Sequence, residues 1–500
     1  MIHKQFLANA GVLIALSLAG QGPAFAQIKQ TTLDPVVQNS IDSPSSEAIT
    51  STPLSASQPD AVGILTSQQT GIPQNFWGNG DPKVIARLIA PYFDFTLHEI
   101  TALWQRIALS EIDPPARVSN PGTLLSARVA HLLNAGALDQ AEALLNQAGP
   151  STPELFQQSF EVGLLTGRAQ SACATMLRNP SLAPGLKERV FCLARENDWS
   201  AAALTLTTAK SLRQIPELDA ELLTLFLDPE LFDESNPPPA PVPLTALDFI
   251  MREALAMPRS GQALPLAFLH QDLQRETGWR NQVIAMERLV RSQAIPPQQL
   301  IALYQDGKPS ASGGVWVRVS AVQKLLRAMD VGTAEQISDA LRTAYRDLNA
   351  VGLEFILSDI AADDLEGVAL TPSGDRTRFF LNLLHADNAE LVADYAPQTA
   401  TDAFLQTLAL GELPETASTD IEAAILAAFQ GTTFSNSLIE DAKRGQMGEA
   451  IMKSMINLIR SRHRDPAALE TTIATLRIAG LEDEARRIAI QAVLYLSRRS

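Results

Sequence analysis

Between residues 135 and 202 a small turn residue is followed, three times over, by an alanine five positions later. Ala135-Gly136-Ala137-Leu138-Asp139-Gln140-Ala141 aligns with Thr166-Gly167-Arg168-Ala169-Gln170-Ser171-Ala172. Both align with Glu196-Asn197-Asp198-Trp199-Ser200-Ala201-Ala202, so the turn residues stand 31 and 30 apart, as do the alanines. A fourth copy, Ala479-Gly480-Leu481-Glu482-Asp483-Glu484-Ala485, lies near the end of the chain. Each copy follows one apolar stretch and opens another. Few folds accept this pattern. Glycine and asparagine tolerate the left-handed backbone that ends a helix. The acidic or small polar residue after them starts the next helix, and the alanine lets that helix approach the first closely. One such hairpin cannot bury its apolar face alone, so hairpins stack.

The rest of the chain reads the same way. Apolar residues recur at helical spacing in 84–89, 97–109, 124–133 and 138–145. Further helical stretches are 244–256, 282–291, 315–329, 334–349, 376–384, 421–429, 450–461 and 466–478. Helix-start signals precede several of them: Ser151-Thr152-Pro153-Glu154, Asp465-Pro466 and Thr333-Ala334-Glu335-Gln336. No long alternating segment suggests a sheet. The expectation is an all-α, helical-hairpin solenoid, arranged as one superhelix or two domains. Over about residues 122–230 and 466–497 the hairpins resemble the tetratricopeptide family, where a small residue occupies the helix crossing. The period here is shorter than that family's, about 34 residues. The resemblance implies a right-handed superhelix with a concave, partner-binding face and no catalysis.

The expected organisation has five parts. Residues 1–26 read as a secretory signal peptide: Lys4 in a short basic start, the apolar run Gly11–Ala19, and Ala24-Phe25-Ala26 before cleavage at Gln27. Residues 27–80 form a weakly ordered arm, rich in Ser, Thr, Gln and Pro. Its end, Ile72-Pro73-Gln74-Asn75-Phe76-Trp77-Gly78, carries aromatics suited to tacking the arm onto the folded body. Residues 81–233 are an N-terminal helical-repeat domain and 244–500 a second helical domain ending in a hairpin. Between them, 234–243 is a proline-rich linker, or else a long loop within one superhelix. No segment after the leader offers a membrane span, so the product is expected in the periplasm or secreted.

Charge and composition narrow the chemistry. The balance of 39 basic to 55 acidic residues argues against nucleic-acid binding, which needs a positive field. Two cysteines exclude a disulfide-dense scaffold and a four-cysteine zinc site. Cys173 and Cys192 fall at similar heights on two antiparallel helices, and an oxidising compartment favours a disulfide over two buried thiols. The histidines His3, His98, His131, His270, His385 and His463 show no metal-ligand spacing. No nucleotide-binding glycine loop and no nucleophile elbow occur, so no catalytic residue, metal or cofactor is assigned. Asp359, Asp363, Asp364 and Glu366 read as a solvated turn. Glu354 is placed on an apolar helix without a second catalytic feature.

Two site candidates remain. Around the Gly/Ser loop 308–314, Lys308, Gly313, Gly314 and Arg318 suit an anion at a helix start, and Tyr304 and Trp316 suit stacking on a sugar. The simpler reading is a cap loop with Trp316 in the core. The phrase Ser312-Gly313-Gly314-Val315-Trp316 resembles one found in secreted bacterial proteins and carries no function with it. The second candidate is Arg460, Arg462 and Arg464, in a C-terminal segment (441–500) with eleven basic against seven acidic residues. They complement a helix C-terminus or, more sharply, dock the protein onto an acidic surface. The functional expectation is a non-catalytic scaffold or solenoid of the cell envelope that binds a protein or peptide. The alternative is a glycan-acting envelope enzyme, which a cleft with Glu354 at its base would favour.

Overall fold

The four repeat copies fold into four helical hairpins: Thr123–Ala135 with Leu138–Ala148, Pro153–Leu165 with Ala169–Arg178, Leu186–Arg195 with Trp199–Ser211, and Pro466–Ile478 with Glu482–Ser497. This computed structural model describes residues 58–497 apart from 95, 118–119, 150–151, 260–262, 275–276 and 433–435. The expected leader and residues 27–57 of the arm lie outside the described residues. At each turn φ is positive: 78° at Gly136, 73° at Gly167, 62° at Asn197 and 78° at Gly480. The next N–H then reaches back five residues, from Ala137 to Leu132, Arg168 to Gly163, Asp198 to Leu193 and Leu481 to Leu476. That bond satisfies a carbonyl which the helix end leaves open. Ala141, Ala172, Ala202 and Ala485 are all buried.

A fifth copy emerges at Arg444-Gly445-Gln446-Met447-Gly448-Glu449-Ala450. Gly445 has φ 87°, Gln446 N–H donates to Asp441 O, and Ala450 is buried. The preceding helix, Ser437–Lys443, has only 7 residues, too few to display a period. This turn receives the end of the arm. Ile72, Phe76 and Trp77 are buried. Gly448 N–H donates to Phe76 O, and Asn79 N–H to Gly445 O, both at 2.9 Å. A Cβ at position 448 would lie 2.5 Å from the Trp77 ring, so the close approach needs glycine.

Among the described residues there is no strand, only one isolated bridge between Leu65 and Ser110. Helices form where the spacing places them, including the predicted caps Thr152, Thr333 and Asp465. Two apolar cores hold them. One unites residues from Ile72 to Val162 with residues from Leu266 to Leu494. The other runs from Leu138 to Phe268 through the hairpin stack. Phe191 and Phe249, on either side of the proline run, share this second core. Arg252 pins the run itself, donating to Pro238 O at 3.0 Å. Cys173 and Cys192 form a disulfide between neighbouring helices of the stack, their Cα atoms 5.0 Å apart. No helix among the described residues is long and apolar enough to cross a membrane.

The first core closes the chain on itself. Helix His98–Leu109 packs against Glu482–Ser497, and Pro82–Ile89 against Met447–Arg460. Charges are buried at the first of these joints. Arg106 meets Glu484 at 2.7 Å, and Arg487 meets Glu99 at 3.1 Å and Glu484 at 3.5 Å. Burial pushes the Glu99 carboxyl up, against the pull of Arg487 and Arg106.

Two tests follow from this packing. Gly480 has open space around a built Cβ, whereas at Gly136 it would lie 2.6 Å from Leu289. Gly480→Ala should therefore cost about 1–2 kcal/mol of backbone strain. Gly136→Ala should cost at least about 1 kcal/mol more, from overpacking. Equal losses in urea unfolding would refute the contact. Replacing Cys173 and Cys192 together by Ala should lower stability by about 3 kcal/mol, as expected for a 19-residue separation. Two alkylatable thiols in non-reducing peptide mapping would contradict the bond.

Candidate functional site

The residues singled out near the Gly/Ser loop are largely engaged within the fold. Tyr304 is fully buried, and its hydroxyl donates to Glu287 Oε1 at 2.7 Å. Arg318 grips the same carboxylate through two bonds of 2.8 and 2.6 Å. Trp316 is buried against Trp279, ring centroids 4.7 Å apart. Glu287, which no sequence pattern marked, is thus the centre of the cluster. Burial and the Glu287 charge push the Tyr304 phenol well above its usual range. Gly313 and Gly314 have φ of 79° and 64° and lead into helix Val315–Val331, while Lys308 is exposed. The cluster ties three helices together and leaves no aromatic face of Tyr304 open to a ligand.

Arg460 ends helix Met447–Arg460, Arg462 and Arg464 lie on the turn after it, and all three are exposed. Ion pairs in this region are made by Lys443, Arg444, Lys453, Arg477, Arg486 and Arg487. Between the arginines, His463 is buried with φ 60°, its Nε2 3.0 Å from Thr96 Oγ1. The turn is therefore fixed from beneath while its three guanidinium groups face solvent.

A cavity of about 180 Å³, which sequence spacing does not outline, lies beside the joint of helices His98–Leu109 and Glu482–Ser497. Leu97 and His98 reach it from the start of helix His98–Leu109, and Arg291 from the end of Trp279–Arg291. Asn349 lines it at the end of Ala334–Asn349, and Gln491 and Tyr495 line it from the last helix. Glu354 and Phe355 complete the wall. The apolar helix that carries Glu354 is a short 3₁₀ helix. Gly352, at φ 70°, turns the chain after Ala334–Asn349, and Glu354 opens the 3₁₀ turn Glu354–Leu357. Its side chain is buried against the cavity.

The cavity wall is chemically mixed. The His98 ring stacks on Phe355 at 4.0 Å. Arg291 holds Asp94 through contacts of 3.0 and 3.2 Å. Asn349 Oδ1 is buried without a partner among the described residues. The other acidic residues stay away: Asp359 accepts from Gln298 at 2.8 Å, and Asp363, Asp364 and Glu366 are exposed. Among the described residues no three of His, Cys, Asp and Glu gather as a metal-ligand set.

Burial keeps the histidines of this joint uncharged. His98, His131 and His463 are each lowered from 6.5 to about 4 by desolvation. His131 Nδ1 lies 2.8 Å from Pro91 O, so that nitrogen carries the hydrogen. Between the folded and unfolded values the unfolded chain binds more protons. This stability is thus complete above pH 6.5 and is lost as pH falls through about 4. By pH 5.5 the loss should be about 1 kcal/mol per histidine. Urea midpoints at pH 7.5 and 5.5 check this, and an unchanged midpoint would contradict it.

No protein-family model, no curated protein and no solved structure matches this chain, so its own residues carry the functional reading.

Proposed function

We propose that this protein is a non-catalytic scaffold of the cell envelope, periplasmic or secreted, that holds a protein or peptide partner on its hairpin stack. Kinship of the hairpins with tetratricopeptide-like solenoids is part of this reading. The observation that carries it is a series of exposed apolar side chains on two neighbouring helices of the stack and the turns after them. Trp199, Leu204, Leu212, Leu218 and Leu231 are between 47% and 69% exposed. They fall on helices Trp199–Ser211 and Glu217–Leu227 and the turns that follow them. An open groove there is lined by Ile215, Ala220 and Leu225, with Lys210, Arg213, Glu217 and Glu221 around it. Apolar surface gathered in one place and bordered by charge is a feature of docking sites. The disulfide within the same stack supports an oxidising compartment. The exposed arginines 460, 462 and 464 offer a second contact for an acidic surface.

The glycan-acting alternative draws on the Glu354 cavity. A cavity of about 150 Å³ holds benzene. The 180 Å³ here is smaller than a sugar chain spanning a scissile bond would need, and Glu354 is the carboxylate on its wall. The geometry therefore favours binding over glycan cleavage.

Photo-crosslinking residues placed at Leu204 and Leu218 test the docking face in cells. A discrete adduct is expected from both, and none from a control at exposed Val331. Replacing Trp199 and Leu204 by Glu should abolish the Leu218 adduct with an unchanged thermal midpoint. Absence of any adduct from either position would overturn the reading.

A further inference from the structure

The solvent side of helix Trp199–Ser211 is uncharged over most of its length. From Trp199 to Ala209 the sequence, WSAAALTLTTA, holds no charged side chain, in a protein of net charge −16. Ser200, Ala203, Leu204, Thr207, Thr208 and Ser211 are exposed there. The Thr207 hydroxyl donates to Ala203 O at 2.8 Å and the Ser211 hydroxyl to Thr207 O at 2.9 Å, so both are satisfied within the helix. What the face offers is methyl groups and Leu204, which is 69% exposed. We propose that a second copy of this chain covers it, helix against antiparallel helix, about a two-fold axis beside Leu204. The inference rests on the reading of this face as a docking surface and names its occupant.

The face is complementary to itself. Two copies of one acidic chain repel each other, and an uncharged face is where they can meet. Small side chains there let two helices approach closely. Trp199 and Lys210 are eleven residues apart, about three turns at 3.6 residues per turn, so they border the same edge of the face. Their midpoint falls next to Leu204. A two-fold axis at that point turns Leu204 onto Leu204 of the second copy. It also brings each exposed Lys210 to the exposed Trp199 ring of the other copy, a reciprocal contact of the kind a two-fold interface requires. An ammonium is attracted to an indole face. Charge also sets the direction. Parallel helices would place Lys210 and Arg213 of both copies side by side, whereas antiparallel helices point them toward the end that Asp198 caps. One helix from each copy buries less than the about 1,200 Å² of a standard interface, so the association is reversible.

Sedimentation equilibrium of the full chain between about 1 and 100 µM should show a monomer–dimer equilibrium. Leu204→Glu, which sets two carboxylates beside the axis, should weaken the dimer at least tenfold. Val331→Glu, at an exposed side chain on another helix, should leave it unchanged. Both native cysteines are bonded to each other, so Leu204→Cys reads the register directly. Mild oxidation should join two copies of that variant, and should not join copies of Val331→Cys. If Leu204→Glu fails to fold, the Leu204→Cys cross-link decides alone. A chain that stays monomeric overturns the proposal, as does a dimer that Leu204→Glu leaves intact and Leu204→Cys does not cross-link. The photo-adduct at Leu204 separates this inference from the docking reading. An adduct of twice the chain's mass supports a second copy. A monomeric chain whose adduct contains a different protein overturns the second copy and keeps the docking face, and a monomeric chain without an adduct overturns both.

Discussion

Everything at the centre of this molecule depends on the joint between helix His98–Leu109 and the last helix, Glu482–Ser497. Four charges meet there: Glu99, Arg106, Glu484 and Arg487. Removing ions from water is costly, and a single buried pair often fails to offset that cost. Here each carboxylate faces a guanidinium, and Glu484 touches both. Gln491 adds a neutral bond by accepting the Glu99 N–H at 2.9 Å, at the buried start of the helix. Gln491 also lines the cavity, so one side chain both seats the helix and shapes the site.

Buried polar pins recur in both regions of the fold. Around the joint, polar groups are used as pins. Arg128 is almost wholly buried and donates to the carbonyls of Ala108, Ser110, Asp60 and Val62. Burial lowers its guanidinium to about 10. Asp60 in turn accepts the N–H groups of Gly122 and Leu125 at the start of helix Thr123–Ala135. Such groups tolerate little movement, because an unmade buried hydrogen bond is expensive. The hairpin stack has an apolar core stapled by one disulfide, and polar pins of its own: Lys187 meets Asp219 at 2.6 Å and the buried Asp248.

Local rules made the helices legible from sequence alone. Gly136, Gly167, Asn197 and Gly480 announce helix ends because few residue types accept a positive φ. Thr152, Thr333 and Asp465 announce helix starts because their side chains satisfy open N–H groups. The pairing of Cys173 with Cys192 followed from helix rise and the turn between them. These signals act within a few residues and survive in one dimension. The tertiary structure decided the rest. Phe76 and Trp77 settle on Gly448, and Glu354 joins His98 and Tyr495 in one cavity, through contacts between residues hundreds of positions apart. Tyr304 and Arg318 share the buried Glu287 carboxylate, a partner that no local pattern marks. Periodicity reports which face of a helix is apolar, but which helix covers that face is settled only when the whole chain has packed.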